Sequence, residues 1–301
     1  MKKKINVRIN LYVVCIVLLG ILAVFLGRVC YLEKQKTLQL FKIIEKQNNI
    51  VAPYYEKISL ELPDNLKSKN DKQNKIKIPI IMYHYVEYVK DDGDLIRKSL
   101  DIIPSLFEGH LQTLRKANYE TYFAKDIPEI MDGTIHYSTH SAILTFDDGY
   151  EDFYSVVFPL LKKYHMRATV YIIYNYIGRS GFLDEKQIKE LIESGLVEIG
   201  SHTLDHVYLK QAPDLYAEKQ IVESKQKFEE RFGVSIKTFA YPYGAFSNKN
   251  IEYVQKAGYT AAVSVISGIM QDKDNLFYLS RIRPGLFTPT SMIRFIEQMN
   301  K

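Results

Sequence analysis

From Ile76 onward, short apolar runs alternate with longer helical patterns, and this rhythm limits the possible fold more than any other feature. The strand candidates are IPIIMY, AILTF, ATVYII, LVEIGSH, TFAYPYG and TAAVSV. Helical patterns lie between them, including EKQIKELIES and the stretch from Asp214 to Phe232. Strands separated by helices of this length indicate βαβ units with parallel pairing. We therefore predict one α/β domain over residues 76–301, with a barrel-like sheet whose closure the periodicity alone does not decide.

The first 75 residues differ from this domain in charge. They hold 14 Lys and Arg against 6 Asp and Glu, whereas residues 76–301 hold 26 against 29. A mildly acidic domain argues against nucleic-acid binding, which concentrates positive charge on the folded surface. Both cysteines, Cys15 and Cys30, precede the domain. Disulfides, thiolate metal sites and cysteine nucleophiles are therefore excluded within it.

A basic tail over residues 1–10 precedes a run of 17 uncharged residues, Leu11 to Gly27. This run has the minimum length of roughly 17–25 residues that spans a bilayer. We predict a membrane anchor over residues 11–29, with the basic N-terminus in the cytoplasm and the domain outside the cell. A cleaved signal peptide is the alternative, although GRVCYLEK lacks a small-residue cleavage site. Residues 30–75 are polar and predict a stalk, and the whole suggests a bacterial cell-surface protein.

The segment TFDDGY places two adjacent carboxylates, Asp147 and Asp148, directly after the strand candidate AILTF. Burying an ionised carboxylate is costly unless it is paired or binds a metal, so neither aspartate suits simple packing. Side chains alternate along an extended backbone, and neighbouring aspartates can therefore point to different partners. One of the two can hold a metal while the other handles a proton.

Two histidines, His202 and His206, follow the strand candidate LVEI and lie four residues apart. At this spacing two imidazoles lie on one face of a helical turn and can share a metal, although a pair of surface histidines also fits. In a parallel α/β fold the carboxyl ends of the strands share one face, so the histidines and the aspartates are expected to meet there. Two histidines and one carboxylate leave coordination positions open for water and substrate, and zinc or another divalent first-row metal fits best.

The motifs TFDDG, HTLDH and YPYG together resemble the polysaccharide deacetylase family, also called the NodB-homology domain or carbohydrate esterase family 4. The resemblance covers about residues 76–301 and implies a distorted (β/α) barrel that removes N-acetyl groups from an amino-sugar polymer. It also implies that Asp148, His202 and His206 hold a divalent metal, with zinc expected and cobalt, nickel or iron as alternatives. By the same resemblance, Asp147 is the general base.

The third motif of the family supplies a backbone N–H for the developing oxyanion, and it falls here on Tyr243 within FAYPYGAF. Tyr241 and Tyr243 are therefore candidates for substrate or oxyanion contacts. Ordinary aromatic packing beside a turn is the alternative for both tyrosines.

Two departures from the family pattern are informative. Ala240 stands where the family usually has an arginine that braces the base, and Arg281 or Arg283 could replace it or form unrelated salt bridges. The late histidine that usually acts as the general acid is absent, since no histidine follows His206. His84 in PIIMYHYV is the candidate acid, and a structural histidine is the alternative. An acid histidine in an N-terminal MYH segment resembles the permuted subgroup that acts on poly-N-acetylglucosamine.

The remaining histidines lack a motif and are expected to face solvent: His110, His136, His140 and His165.

Three functions remain open from the sequence. The leading hypothesis is a membrane-anchored, metal-dependent deacetylase of an extracellular N-acetylated glycan, either poly-N-acetylglucosamine-like or peptidoglycan. The alternative from another class is a surface glycan-binding protein on the same scaffold that has lost catalysis, which the two missing residues favour. The intact set of aspartates and histidines opposes it. Amidohydrolase chemistry on a small molecule is the third, and the predicted anchor and stalk weigh against it.

Overall fold

Strands and helices alternate through the domain, as the sequence predicts. The computed structural model describes residues 75–91, 93–284 and 287–299. All of them belong to the unit Ile50–Lys301, one of the two units into which the chain divides. The predicted tail, anchor and stalk lie outside the described residues, apart from Lys75. Among the described residues, none of the helices combines the length and the apolar character needed to cross a bilayer.

In chain order the strands are β1 (Lys75–Lys77), β2 (Ile80–Tyr83), β3 (Glu120–Tyr122), β4 (Ser141–Phe146), β5 (Ala168–Ile172), β6 (Val197–Ser201), β7 (Thr238–Ala240), β8 (Ala261–Ser267), β9 (Met270–Asp272) and β10 (Leu279–Arg281). The helices are α1 (Leu95–Leu100), α2 (Pro104–Lys116), α3 (Ile127–Asp132), α4 (Phe158–Tyr164), α5 (Glu185–Glu193), α6 (Asp214–Phe232), α7 (Asn248–Lys256) and α8 (Pro289–Met299).

The main sheet has eight strands, of which seven follow the order β10-β8-β7-β6-β5-β4-β2 and the eighth, β3, pairs with β4. Every neighbouring pair is parallel. The sheet closes through Ile282, which follows β10. Its carbonyl accepts from the N–H of Met82 at 2.8 Å, and its own N–H donates to the carbonyl of Ile80 at 2.8 Å. The result is a nearly closed parallel barrel, and it confirms the predicted fold class.

The barrel is distorted on the side of β4. Strand β3 pairs with the first half of β4, from Ser141 to Ile143, whereas β5 meets β4 only from Thr145 onward. Two different strands therefore pair with successive parts of β4, and this disrupts the regular barrel. The antiparallel pair β1–β9 forms a separate small sheet.

The barrel strands are buried on both faces, which is typical of parallel sheets covered by helices. Every residue of β4, β5 and β6 is buried. Side chains from the strands and from α3 form one apolar cluster, whose buried members are Ile78, Ile80, Ala124, Ile127, Ile130, Ile143, Tyr171, Ala240, Ala261, Val263 and Leu279.

One carboxylate, Glu198 on β6, is buried within the strands of the barrel. It accepts hydrogen bonds from the hydroxyls of Thr169 at 2.7 Å and Thr238 at 2.8 Å, and from the N–H of Lys125 at 3.1 Å. These donors are all neutral, and burial raises the pKa of the Glu198 carboxyl above its ordinary value. Glu198 therefore links β5, β6 and β7 to the segment after β3, a role that no sequence motif indicated.

His110 contradicts the expectation that the histidines outside the motifs face solvent. It lies on α2, is fully buried, and approaches the carbonyl of Phe287 with Nε2 at 2.9 Å and the hydroxyl of Tyr83 with Nδ1 at 3.2 Å. The prediction failed because a helix packed on the barrel brought these two partners from distant parts of the sequence. The other three histidines of that set are exposed, as predicted.

Candidate active site

The carboxyl ends of three barrel strands bring the predicted chemical groups together. His84 follows β2, Asp147 and Asp148 follow β4, and His202 and His206 follow β6. This is the arrangement expected for a parallel α/β fold, in which functional side chains gather where the strands end.

Asp148, His202 and His206 form a compact group of metal-ligating side chains. The Asp148 Oδ1 atom lies 3.3 Å from His202 Nε2 and 3.2 Å from His206 Nε2. One ligand atom from each residue lies within 4.8 Å of the other two. Asp148 and His202 are buried, whereas the His206 side chain is 20% exposed, so the group opens to solvent on one side.

The hydrogen bonding around this group favours a cation. His202 Nδ1 lies 2.8 Å from the carbonyl oxygen of Ala240, which can only accept, so Nδ1 carries a hydrogen and Nε2 of the neutral ring presents a lone pair. That lone pair faces Asp148 Oδ1, a buried oxygen with no hydrogen-bond partner. Buried polar atoms are rarely left without partners, and a divalent metal would satisfy this set. Histidine ligands commonly donate their other ring N–H in this way.

The backbone around the group is unusual and corrects two details of the sequence interpretation. Asp148 has φ of 76°, so a left-handed turn separates the two aspartates, and not the alternation of an extended strand. Thr203 and His206 have φ of 68° and 57°, and the His206 N–H donates to the Thr203 hydroxyl at 2.9 Å. The two histidines therefore share a face through an irregular turn and not through a helix. Left-handed conformations in residues other than glycine cluster at functional sites.

Asp147 is held by Arg281 from the end of β10. The guanidinium donates from Nη1 to Oδ1 and from Nη2 to Oδ2, both at 2.7 Å. Its Nε donates to the carbonyl of Ser264 at 2.7 Å, and Nη1 also donates to the Thr145 hydroxyl at 3.2 Å. Burial by itself would raise the pKa of Asp147, but the Arg281 charge and hydrogen bonds outweigh it and lower that pKa.

This pairing decides between the two arginines that the sequence left open. Arg281 is buried and contacts the carboxylate of Asp147, whereas Arg283 donates from Nη2 to the carbonyl of Ser99 at 2.5 Å. The bracing position of the missing motif arginine, at Ala240, is therefore taken by a side chain from a different strand. Ala240 contributes its backbone carbonyl to His202 instead.

His84 also lies close to Asp147. Its Nε2 lies 3.9 Å from Asp147 Oδ2, and its buried Nδ1 has no hydrogen-bond partner. Burial lowers the pKa of His84 to about 4, although the nearby charges of Asp147 and Asp148 act in the opposite direction. His84 is therefore neutral near pH 7 in this arrangement.

Tyr241 and Tyr243 have different environments. Tyr241 is buried, its hydroxyl donates to the carbonyl of Phe277 at 2.9 Å, and its N–H donates to the carbonyl of Val263 at 3.4 Å. Its side chain belongs to the core, so the predicted substrate contact gains no support at this residue. Tyr243 is 45% exposed, and its ring centroid lies 4.6 Å from that of His206.

A sequence model of the family described as "Polysaccharide deacetylase" matches residues 136–262. YxkH of Bacillus subtilis, whose name assigns it to the polysaccharide deacetylases, is 31% identical over 225 residues, covering 74% of this chain and 77% of that protein. The poly-β-1,6-N-acetyl-D-glucosamine N-deacetylase of Staphylococcus aureus is 30% identical over 155 residues, covering 47% of this chain and 53% of that protein.

Solved structures show the same architecture. The Streptococcus pyogenes deacetylase PplD in complex with acetate superposes with a TM-score of 0.68 at 26% identity, covering 73% of this chain and 98% of that chain. IcaB from Ammonifex degensii superposes with a TM-score of 0.65 at 22% identity, covering 75% and 97%. The second likeness concerns the fold alone.

Proposed function

Because the chain belongs to the polysaccharide deacetylase family and is a hydrolase of that family, we propose that it removes N-acetyl groups from an extracellular amino-sugar polysaccharide with the help of a divalent metal. The observation that carries this proposal is the Asp147–Arg281 pair beside the group formed by Asp148, His202 and His206. The name of the Staphylococcus aureus relative supports poly-β-1,6-N-acetylglucosamine as the first substrate to test. Peptidoglycan is the second.

We assign the metal to Asp148, His202 and His206, since their ligand atoms converge and one of them lacks a hydrogen-bond partner. Zinc is the proposed ion, with cobalt, nickel and iron as alternatives, because two imidazoles and a carboxylate suit all four. When bound, such an ion polarises the acetyl carbonyl and acidifies a water molecule. The exposed edge of His206 leaves room for the substrate to approach from solvent.

We assign the general base to Asp147. Its lowered pKa keeps the carboxylate ionised, and Arg281 fixes the orientation of both oxygens. An ionised and oriented carboxylate can accept a proton from the attacking water as that water adds to the acetyl carbonyl. Two tight contacts to Arg281 also make Asp147 a weaker base, so the accepted proton is readily passed on.

We assign the general acid to His84. The ring is neutral before reaction, and its Nε2 lies 3.9 Å from Asp147 Oδ2. In this scheme the proton moves from water to Asp147, then to His84, and finally to the leaving amine nitrogen. The C–N bond breaks, the water oxygen stays with the released acetate, and both residues return to their starting states.

The backbone N–H of Tyr243 is the proposed donor to the developing oxyanion, because this residue lies directly against His206. A donor at such a position typically contributes a factor of about 10²–10³ to the rate.

The membrane anchor predicted for residues 11–29 would place the domain outside the cell. This anchor is part of the proposal, because residues 11–29 lie outside the described residues.

Acetate release from purified poly-β-1,6-N-acetylglucosamine and from peptidoglycan tests the proposal. We expect release from at least one polymer, its loss after chelation, and recovery on adding zinc or an alternative ion. Release that persists after complete removal of metal would contradict the assignment to Asp148, His202 and His206. Binding to these glycans with no release under any of the four ions would favour a glycan-binding protein that has lost catalysis.

A further inference from the structure

Aromatic rings continue outward from the metal-ligating group. The ring centroids of His202 and His206 lie 4.9 Å apart, those of His206 and Tyr243 lie 4.6 Å apart, and those of Tyr243 and Tyr208 lie 6.0 Å apart. His202 is buried, whereas Tyr243 is 45% and Tyr208 is 37% exposed. This row of four rings therefore begins at the buried His202 and ends at Tyr208 on the protein surface.

The turn that carries Tyr243 is held tightly against the barrel. Tyr243 has φ of 60°, a left-handed conformation that bulky residues rarely adopt. At the next residue, Gly244, an added Cβ atom would lie 2.1 Å from Cγ2 of Val265, so the turn lies directly against β8. A strained residue that presents a large exposed ring beside a reactive group indicates a functional use of that ring.

Tyr208 is fixed by the same segment that presents His206. It lies two residues after His206, and the next side chain, Leu209, is buried. Two neighbouring tyrosines that are a third to a half exposed leave apolar area in contact with water, although aromatic rings gain most when they are buried. A ligand that covers both rings would recover that area.

We propose that Tyr208 and Tyr243 form a stacking subsite for a second sugar unit, adjacent to the unit that is deacetylated. This inference rests on the proposed function. A pyranose with equatorial substituents presents C–H groups on its faces, and such faces pack against aromatic rings without needing charge. Because Tyr208 lies one ring farther from His206 than Tyr243 does, it contacts the neighbouring unit and not the reacting acetyl group. The enzyme therefore acts on oligomers in preference to the monosaccharide.

A second aromatic pair follows the strands β2 and β4. Tyr85 and Tyr150 stack with ring centroids 3.7 Å apart, and the Arg97 guanidinium lies 4.3 Å over the Tyr85 ring. Tyr85 is only 9% exposed, so it offers less ring area to a sugar than Tyr208 or Tyr243.

The test compares a β-1,6-linked N-acetylglucosamine pentasaccharide with N-acetylglucosamine itself. For Tyr208→Ala in the full chain we expect KM for the pentasaccharide to rise about five- to tenfold, which matches the usual strength of one aromatic contact. The value of kcat for the pentasaccharide, and kcat/KM for the monosaccharide, should stay within about twofold of wild type. Tyr208→Phe keeps the ring and should behave as wild type.

Two further measurements make the test specific. Tyr216→Ala is the matched control, since Tyr216 is 42% exposed and lies on α6, outside the segments that carry Tyr208 and Tyr243. In the Asp147→Asn background, Tyr208→Ala should weaken pentasaccharide binding by the same factor in calorimetry. An equal loss on both substrates would show that Tyr208 only supports the turn around His206, and it would overturn the subsite.

An unchanged KM in Tyr208→Ala would also overturn the subsite, as would a wild-type enzyme that does not distinguish the pentasaccharide from the monosaccharide. A wild-type protein that releases no acetate from either substrate would instead contradict the proposed function. The binding comparison would then still decide the subsite, because it does not require turnover.

Discussion

Two buried carboxylates of the barrel have opposite electrostatic environments. Asp147, at the carboxyl end of β4, is paired with the guanidinium of Arg281, and its pKa is lowered. Glu198, within β6, accepts only from neutral hydroxyls and a backbone N–H, and its pKa is raised by burial. Both side chains are at most 6% exposed, so burial does not explain the difference. The charge of the partner decides in which direction the pKa of each carboxyl group moves.

The comparison separates a candidate reactive group from a structural one. A base must be ionised before the reaction, and a cation beside a buried carboxylate achieves that. A structural carboxyl group needs only satisfied hydrogen bonds, and neutral donors suffice whether or not it carries a charge. Four variants test this difference.

Asp147→Asn should abolish most of the activity, because an amide cannot accept the proton from water. We expect acetate release from the preferred polymer to fall about 10²–10⁴-fold, the usual contribution of a general base. Metal content, measured by mass spectrometry after gel filtration, should be unchanged, since Asp148 and the two histidines remain. Near-normal acetate release in this variant would show that Asp147 is not the general base. Neither of the two buried carboxylates would then be a reactive group.

Arg281→Ala should cost the most stability, because it leaves the Asp147 carboxylate buried without its cation. Removing one partner of a buried ion pair typically costs about 3–5 kcal/mol in the free energy of unfolding. Chemical denaturation monitored by circular dichroism measures this, and Arg283→Ala is the control, since Arg283 donates to the carbonyl of Ser99. A loss in Arg281→Ala no larger than in the control would mean that Arg281 does not stabilise the ionised carboxylate.

His84→Ala should lower kcat for acetate release by about 10²-fold, with metal content intact, if the ring passes the proton to the amine. His84 is not a member of the group formed by Asp148, His202 and His206, so its loss should not remove a ligand. Steady-state kinetics at pH 7 measures the effect. Unchanged turnover in this variant would mean that another group donates the proton to the amine. Of Asp147 and His84, only Asp147 would then keep its assigned role.

Glu198→Gln should leave activity unchanged and alter stability only in a pH-dependent way. The folded pKa of Glu198 is raised, so the wild-type group favours folding fully below its unfolded pKa, which is about 4.3. This contribution is lost as pH rises through the folded pKa. The free energy of unfolding of wild type relative to Glu198→Gln should therefore fall as pH is raised from 4 towards 8. A relative rise over that window, or a loss of turnover in the variant, would refute the structural assignment.

The sequence predicted much of the fold because most of its elements have strong local patterns. The strands β4, β5 and β6 are short and buried throughout, and most of their residues are apolar or small. The bounds of α6 agree with the stretch from Asp214 to Phe232. The three-residue strands β1, β3, β9 and β10 were not identified. Strands this short carry too few residues for a periodicity, and their pairing partners are distant in sequence.

The site was predicted unevenly for the same reason. Asp147, Asp148, His202 and His206 stand in two local motifs, and the fold brings them together as expected. Arg281 was only one of two candidates, because its partner is 134 residues away in sequence. Tyr208 had no motif, and only its ring contact with Tyr243 distinguishes it from the many other tyrosines of the chain.

The sequence by itself determined the family, the parallel α/β class and the chemical groups of the site, because each depends on local patterns and on residue types at short spacing. The tertiary structure decided which arginine holds Asp147, how left-handed turns aim Asp148 and His206, and why Glu198 differs from Asp147. These depend on contacts between strands that are distant in sequence. Burial and partner charge, which set ionisation, exist only after the barrel has closed.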